Sequence, residues 1–186
     1  MTVTAFAGEN NPMHVQMVDD RLTVTAESAA QTVELGRMIG LISPPGQCIA
    51  LDGDLGVGKT ELVRGLAAGA GVADVSLVSS PTYVLLNVYP AGDRPKGKTV
   101  FHLDAYRIAG PDGFDAVGWD ELVGQHAVIA VEWASRVASL LPPDTLHIVG
   151  TVLDAGSRRW AISAHHESAR GLLQAVYGGL MGHSPR

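Results

Sequence analysis

Apolar and polar positions along the chain switch between two periods. "RLTVTA" at 21–26 alternates and reads as a short strand. From Ser28, "SAAQTVELGRMIGLI" places Ala29, Val33, Leu35 or Gly36, and Ile39 near helical spacing, with the Ser28 hydroxyl suited to the N-cap. "SPPG" at 43–46 ends that helix, and "QCIALDG" is a buried strand that runs into a glycine-rich loop. "KTELVRGLAAGAGV" then has a helical core stripe of Leu62, Val63, Leu66 and Ala70. "LVSSPTYVLLNVYP" reads as a loop and a strand. The polar turn "AGDRPKGK" joins it to a second strand, "TVFHLDAYRI", as a hairpin. Pro111 and the acids after it predict a helix near 112–124. "AVIAVEW" at 127–133 is an apolar run closed by a charge, the profile of a central parallel strand. "ASRVASLLPP" is a short helix stopped by Pro142 and Pro143. "TLHIVGTVL" and "RWAISAH" flank "DAGSR" as a closing hairpin, and the tail from Ser168 contains a short helix.

Alternation of this kind around one sheet predicts an α/β fold with antiparallel additions. At 186 residues the chain suits a single domain, expected over 21–186. Residues 1–20, rich in Asn, Gly and Met, read as a loosely ordered arm without the basic and apolar regions of a signal peptide. No apolar run reaches the roughly 18 residues that cross a bilayer. Cys48 is the single cysteine and falls in a predicted strand, so a buried thiol in a reducing cytoplasm is expected. The net charge of −6, with only "DRPKGK" at 93–98 as a basic cluster, disfavours unaided gripping of nucleic acid.

The strongest chemical signal is "GDLGVGKTELVRG" at 53–65. Gly53 and Gly58 lie five apart, followed by Lys59 and Thr60, with a strand before and a helix after, which is the phosphate-loop pattern. Glycines let backbone N–H groups turn toward phosphate oxygens, and the helix adds its positive end. Lys59 supplies a point charge for the β- and γ-phosphates, and the Thr60 hydroxyl suits Mg²⁺. The expected fold is therefore a P-loop NTPase-like three-layer sandwich, with a mainly parallel central sheet and antiparallel hairpin additions.

Such a site needs a further carboxylate at the end of an apolar strand, where ligands bind in an open α/β sheet. Asp104 ends "TVFHLD" and Glu132 ends "AVIAVE", and both fit. Each also has a purely structural reading: Asp104 as a turn cap or partner of Arg107, Glu132 as a cap for the helix that follows. An Asn-Lys-x-Asp tetrad to read guanine is missing from the sequence. "DAVG" at 115–118 follows "PDGF" rather than an apolar strand, which favours adenine over guanine.

"GDLGVGKTELVRGL", "SSPTYVLLNVY", "FHLDAYRI", "GWDELV", "VIAVEWASRV" and "LLP", in this order and spacing, resemble the bacterial TsaE family over roughly residues 21–165. The phosphate loop is shared by many families, whereas "SPTY", "HLDAYR" and "VEW" together are specific. The resemblance implies an ATPase required for threonylcarbamoyl modification of adenosine 37 in tRNAs that read ANN codons. It implies that Asp54, Leu55, Gly56, Val57, Gly58, Lys59 and Thr60 hold the ATP phosphates. It makes Thr60 and Glu132 the Mg²⁺ ligands, with Glu132 also a candidate for polarising the attacking water. Asp104 matches an acid on the γ-phosphate and metal side, and Thr82 sits where a switch-like loop would sense the γ-phosphate. Residues 28–32 and the "GSRR" turn at 156–159 lie where the family encloses adenine. The implied partners are the TsaB–TsaD pair, with tRNA reached only through that assembly and no membrane involved. Residues 1–20 and the C-terminal tail lie outside the matched core.

Two rival readings remain at this level: a small-molecule or nucleotide kinase, which lacks the expected arginine-rich lid, and a nucleotide-gated binding module with negligible turnover. Tyr83 and Trp133 read as core packing beside the nucleotide, with a role in loop movement as the alternative for Trp133. His165 and His166 are adjacent on a strand end and so face opposite ways, against a shared metal. His102 shares a strand face with Asp104 and reads as its neighbour rather than a catalyst.

Overall fold

The computed structural model describes residues 2–6, 12–93, 96–108 and 118–182. Among the described residues nine strands form one sheet. Four of them run parallel at its centre: β8 (Leu146–Val152), β4 (Cys48–Asp52), β7 (Ala127–Glu132) and β6 (Thr99–Asp104). All six residues of β7 are buried, which is why its sequence is a continuous apolar run rather than an alternating one. Antiparallel β5 (Leu86–Tyr89) closes one edge beside β6, as the hairpin reading expects.

On the other side, β9 (Arg158–Ala164) pairs with β8 as a hairpin, and β3 (Arg21–Ala26) pairs antiparallel with β9. Within residues 1–20, which their composition reads as a loose arm, the described residues instead extend the sheet. β1 (Thr2–Phe6) and β2 (Pro12–Val18) add antiparallel to β3, and Met13 and Val15 are buried. Alternate apolar residues of β2 supply the driving force that residue composition averages away.

Helices α1 (Ala29–Ile42), α2 (Lys59–Ala70) and α4 (Glu167–Leu180) cover one face of the sheet. The other face carries a smaller core of Ala50, Leu103, Ile129 and Val131. It is covered by the short α3 (Trp119–Val123) and a 3-10 segment, Ala134–Leu140. Of the helix expected near 112–124, residues 112–117 lie outside the described residues. The tail helix α4 is longer than the short helix expected there. Ser28 does cap α1, its hydroxyl accepting from the Gln31 backbone N–H at 3.2 Å. Cys48 is buried as expected, and burial pushes its thiol up to about 12.

The α1–α2 pair positions the site. Gly36 and Gly40 of α1 interleave with Gly65 and Gly69 of α2. A Cβ at Gly65 would lie 1.9 Å from the Val33 carbonyl oxygen, and one at Gly36 would lie 2.1 Å from that of Leu62. Only hydrogen fits between backbones this close. Lys98 then closes the end of α1, its Nζ donating to the carbonyls of Gly40 (2.8 Å), Leu41 (3.3 Å) and Ser43 (2.7 Å). These are carbonyls that a helix end leaves unpaired. Burial lowers the Lys98 ammonium from its ordinary range.

Candidate functional site

The loop at 53–58 leaves β4 at its carboxyl end and enters α2 directly. Gly53, Gly56 and Gly58 have φ of 131°, 78° and 105°, a region that L side chains rarely adopt. At Gly53 a Cβ would also meet the Gly150 carbonyl oxygen of β8 at 2.5 Å, so the loop starts flat against the sheet. Gly58 gives α2 no side-chain cap. The first N–H groups of the helix are therefore left for an anion, helped by the helix dipole. Val57 is buried and anchors the loop, while Leu55 at its tip is 89% exposed.

Lys59 is only 5% exposed. Its Nζ donates to the carbonyls of Gly53 (2.7 Å) and Asp54 (3.1 Å) and lies 4.0 Å from the centre of the Trp133 ring. Burial lowers its ammonium from the ordinary range, with the Glu132, Asp104, Asp52 and Asp54 carboxylates acting against that effect. The charge is thus set among acids in a partly dry setting, where its pull on a phosphate is strengthened.

Thr60 and Glu132 meet directly, the hydroxyl donating to Glu132 Oε1 at 2.9 Å. The same Oε1 lies 2.9 Å from His102 Nε2, and His102 is fully buried with Nδ1 unpartnered. An orphaned N–H would cost more than an orphaned lone pair, so the proton sits on Nε2 and is donated to Glu132. The sequence reading made His102 a supporting partner on the strand face of Asp104 rather than a catalyst; the group it supports is Glu132, one strand over. Both bonds fall on Oε1, and Oε2 has no hydrogen-bond partner among the described residues. Glu132 caps no helix, because Trp133 intervenes at φ 57° as the residue before the 3-10 segment.

Asp104 stands beside Glu132 in the β6–β7 register. It accepts from the Thr82 hydroxyl at 2.6 Å through Oδ2 and from the Tyr106 backbone N–H at 2.8 Å through Oδ1. The turn-cap reading therefore describes it, and the contact with Thr82 comes in addition. Thr82 also shares a 2.7 Å hydrogen bond with Ser80. Tyr83 does not pack in the core: it is 84% exposed, with the Arg107 guanidinium 4.7 Å above its ring.

Asp52 escaped the sequence reading. It accepts from the Ser135 N–H (3.0 Å) and hydroxyl (2.8 Å), tying the end of β4 to the segment after β7. Its place as the last residue of a strand feeding the glycine-rich loop was a usable signal. Residues 28–32 and the 156–159 turn do come together with the loop. A cavity of about 320 Å³ is lined by Ser28, Thr32, Gly56, Gly58, Gly156 and Arg158, with Glu27 and Glu61 also at its wall. Arg158 Nε donates to the Val57 carbonyl at 3.3 Å, and buried Trp160 donates to Thr32 at 3.3 Å. The adjacent histidines diverge: His165 lies beside His147, with ring centres 5.3 Å apart and planes tilted by 58°, whereas His166 bonds Ser168.

A family model described as "Threonylcarbamoyl adenosine biosynthesis protein TsaE" matches residues 26–159. The chain belongs to the TsaE family. The TsaE protein of Treponema pallidum is 37% identical over 139 residues, covering 74% of this chain and 97% of that protein. The TsaE protein of Aquifex aeolicus is 39% identical over 113 residues, covering 61% and 77%. A crystal structure of Bacillus subtilis YdiB superposes with a TM-score of 0.67 at 24% identity, covering 87% of this chain and 95% of that one, and so agrees on the fold. The TsaE match begins at the last residue of β3 and ends within β9, leaving β1, β2 and α4 outside it. Among the described residues no helix is long and apolar enough to cross a membrane.

Proposed function

We propose that the chain is an Mg²⁺-dependent ATPase acting in threonylcarbamoyl modification of tRNA adenosine 37, where hydrolysis resets a TsaB–TsaD assembly. The observation that carries this reading is the convergence of Lys59, the uncapped start of α2 and the Thr60–Glu132 pair at the carboxyl ends of adjacent parallel strands. A hydroxyl beside a carboxylate is a set of hard oxygen donors, which suits Mg²⁺. Thr60 and Glu132 would hold the ion, and its charge would neutralise the β- and γ-phosphate oxygens.

The loop at 54–60 wraps the phosphates with backbone N–H groups, and Lys59 exchanges its two carbonyl acceptors for phosphate oxygens. Water attacks the γ-phosphorus as the bond to the β–γ bridging oxygen breaks, giving ADP and inorganic phosphate. Glu132 orients that water and takes its proton through Oε2, while the His102 N–H and the Thr60 hydroxyl hold Oε1 in place. Asp104 and Thr82 form the other wall, where the γ-phosphate is sensed. The cavity beside Ser28, Thr32 and Arg158 takes adenine. Because Glu27 lies at that wall, competition between ATP and GTP is a stringent check, and ATP is expected to win.

Phosphate release tests the reading. The purified chain should turn over ATP slowly with Mg²⁺ and change its rate when the TsaB–TsaD pair is added. Transfer of the γ-phosphate to a small acceptor would make it a kinase, and no turnover under either condition would make it a binding module. The pair should be retained differently with ATP, with ADP and without nucleotide.

A further inference from the structure

Most large apolar side chains are buried, yet Tyr83, Val84 and Tyr106 lie on the surface beside Thr82 and Asp104, with exposures of 84%, 62% and 50%. Each tyrosine is held by an arginine over its face: Arg107 lies 4.7 Å from the ring centre of Tyr83 and Arg136 lies 5.8 Å from that of Tyr106. Tyr106 also packs at 5.1 Å against Trp133, whose ring covers Lys59 Nζ. Neither Arg107 nor Arg136 has a carboxylate within ion-pair distance among the described residues. An acidic chain thus places together, at the edge of the site, two exposed phenol rings and two guanidiniums with no ion-pair partner among the described residues. Tyrosine and arginine are the residue types that dominate binding energy in protein interfaces.

The two tyrosines share one tether. Asp104 accepts from the Thr82 hydroxyl with Oδ2 and from the Tyr106 N–H with Oδ1, so a single carboxylate positions the loop before Tyr83 and the turn that carries Tyr106. Any nucleotide-dependent change in what Asp104 or Thr82 contacts is transmitted to both rings, over one residue in the first case and one hydrogen bond in the second. The second route, from Lys59 through Trp133 to Tyr106, is equally short.

We infer that Tyr83, Val84, Tyr106, Arg107 and Arg136 form the surface by which a protein partner reads the nucleotide state. The partner's matching face is an apolar pocket bordered by carboxylates. This rests on the ATPase reading above and adds to it the contact face and its chemistry. Carboxylates are required because the two guanidiniums have no acidic partner among the described residues, and an apolar pocket because the exposed rings and Val84 gain most by leaving water. Linkage makes the effect reciprocal: a partner that holds the rings in one arrangement must alter nucleotide affinity by the same factor.

The test titrates the purified TsaB–TsaD pair against wild type, the Tyr83→Ala/Tyr106→Ala double variant and the Arg107→Glu/Arg136→Glu double variant. Each is saturated with Mg²⁺ and a non-hydrolysable ATP analogue, and nucleotide affinity is measured separately. Both variants should bind the pair at least tenfold more weakly while holding nucleotide within about threefold of wild type. The wild-type affinity should fall with added salt, and that of the charge-reversed variant should not. If the wild type binds and the variants bind equally well, this inference fails and the ATPase reading stands. Loss of partner affinity only in proportion to lost nucleotide affinity also overturns it, since the rings would then merely prop the site. Retention of labelled tRNA by the isolated chain, abolished by the charge reversals, would replace the protein partner with RNA. Self-association abolished by the same reversals would replace it with a second copy. No binding by the wild type removes the partner reading itself, and this inference with it.

Discussion

The two walls of the site are built by different forces. On the α1–α2 side, backbones touch through Gly36, Gly40, Gly65 and Gly69, and the surrounding Leu35, Ile39, Leu62 and Leu66 are fully buried. On the Asp104 side, the Thr82 hydroxyl and the Tyr106 N–H are both tied by hydrogen bonds to one carboxylate, next to exposed aromatic rings. Close-packed interiors do not deform continuously, whereas elements with few buried contacts open at low cost. The packed wall therefore suits holding a nucleotide in a fixed place, and the hydrogen-bonded wall suits responding to it.

The largest effect should come from the charge that bridges the two walls. Lys59→Ala should abolish ATP binding and turnover and leave the fold intact, checked by calorimetric titration beside circular dichroism. Normal turnover in a folded variant would break the phosphate-loop account. Next, Glu132→Gln should keep most nucleotide affinity and lose hydrolysis by about 10²–10⁴-fold. Gln is nearly isosteric and its oxygen can still accept from His102 and Thr60, yet the amide cannot accept the proton. Survival of hydrolysis within a few fold would move the role to Asp104.

Gly65→Ala asks whether the packed wall is as rigid as its distances imply. Its Cβ would sit 1.9 Å from a backbone oxygen that cannot rotate away, so the helices must separate. Overpacking of this kind should cost about 3 kcal/mol, a fall of roughly 6–12 °C in the melting temperature of a chain this size. A change below about 1 °C would show that the wall yields. Thr82→Ala should have the smallest effect on nucleotide affinity, within about threefold, since the two hydrogen bonds lost, to Asp104 and Ser80, lie in a partly exposed loop. It should nonetheless reduce the difference between ATP and ADP in TsaB–TsaD affinity. An unaltered difference would take Thr82 out of the response.

What the sequence disclosed divides along the same line. The strand–loop–helix around Lys59, the buried run of β7 and the Ser28 cap are set by residues close in sequence, and their patterns are legible there. Glu132 and Asp104 were legible because strand ends are where such acids gather. The partner of His102 was not, since β6 and β7 are joined by more than twenty residues and only the register puts Glu132 opposite Asp104. The exposure of Tyr83 was hidden for a related reason: aromatic residues near a site usually pack, and only the fold reveals that no layer covers this one. The glycine interlock had a visible signal, two pairs at a spacing of four in adjacent helices, whose meaning depends on the helices being neighbours. β1 and β2 were masked by a composition rich in Asn and Gly at their junction, although Met13 and Val15 already alternate with polar residues.

Amide hydrogen exchange, compared between the ADP–Mg²⁺ and ATP-analogue–Mg²⁺ complexes of the wild-type chain, tests the division of labour most directly. The account predicts that protection of residues 79–85 and 104–108 differs between the two nucleotides, while that of residues 33–40 and 62–69 is the same in both. Equal protection of 79–85 and 104–108 in the two complexes, or a difference confined to the α1–α2 pair, would contradict it.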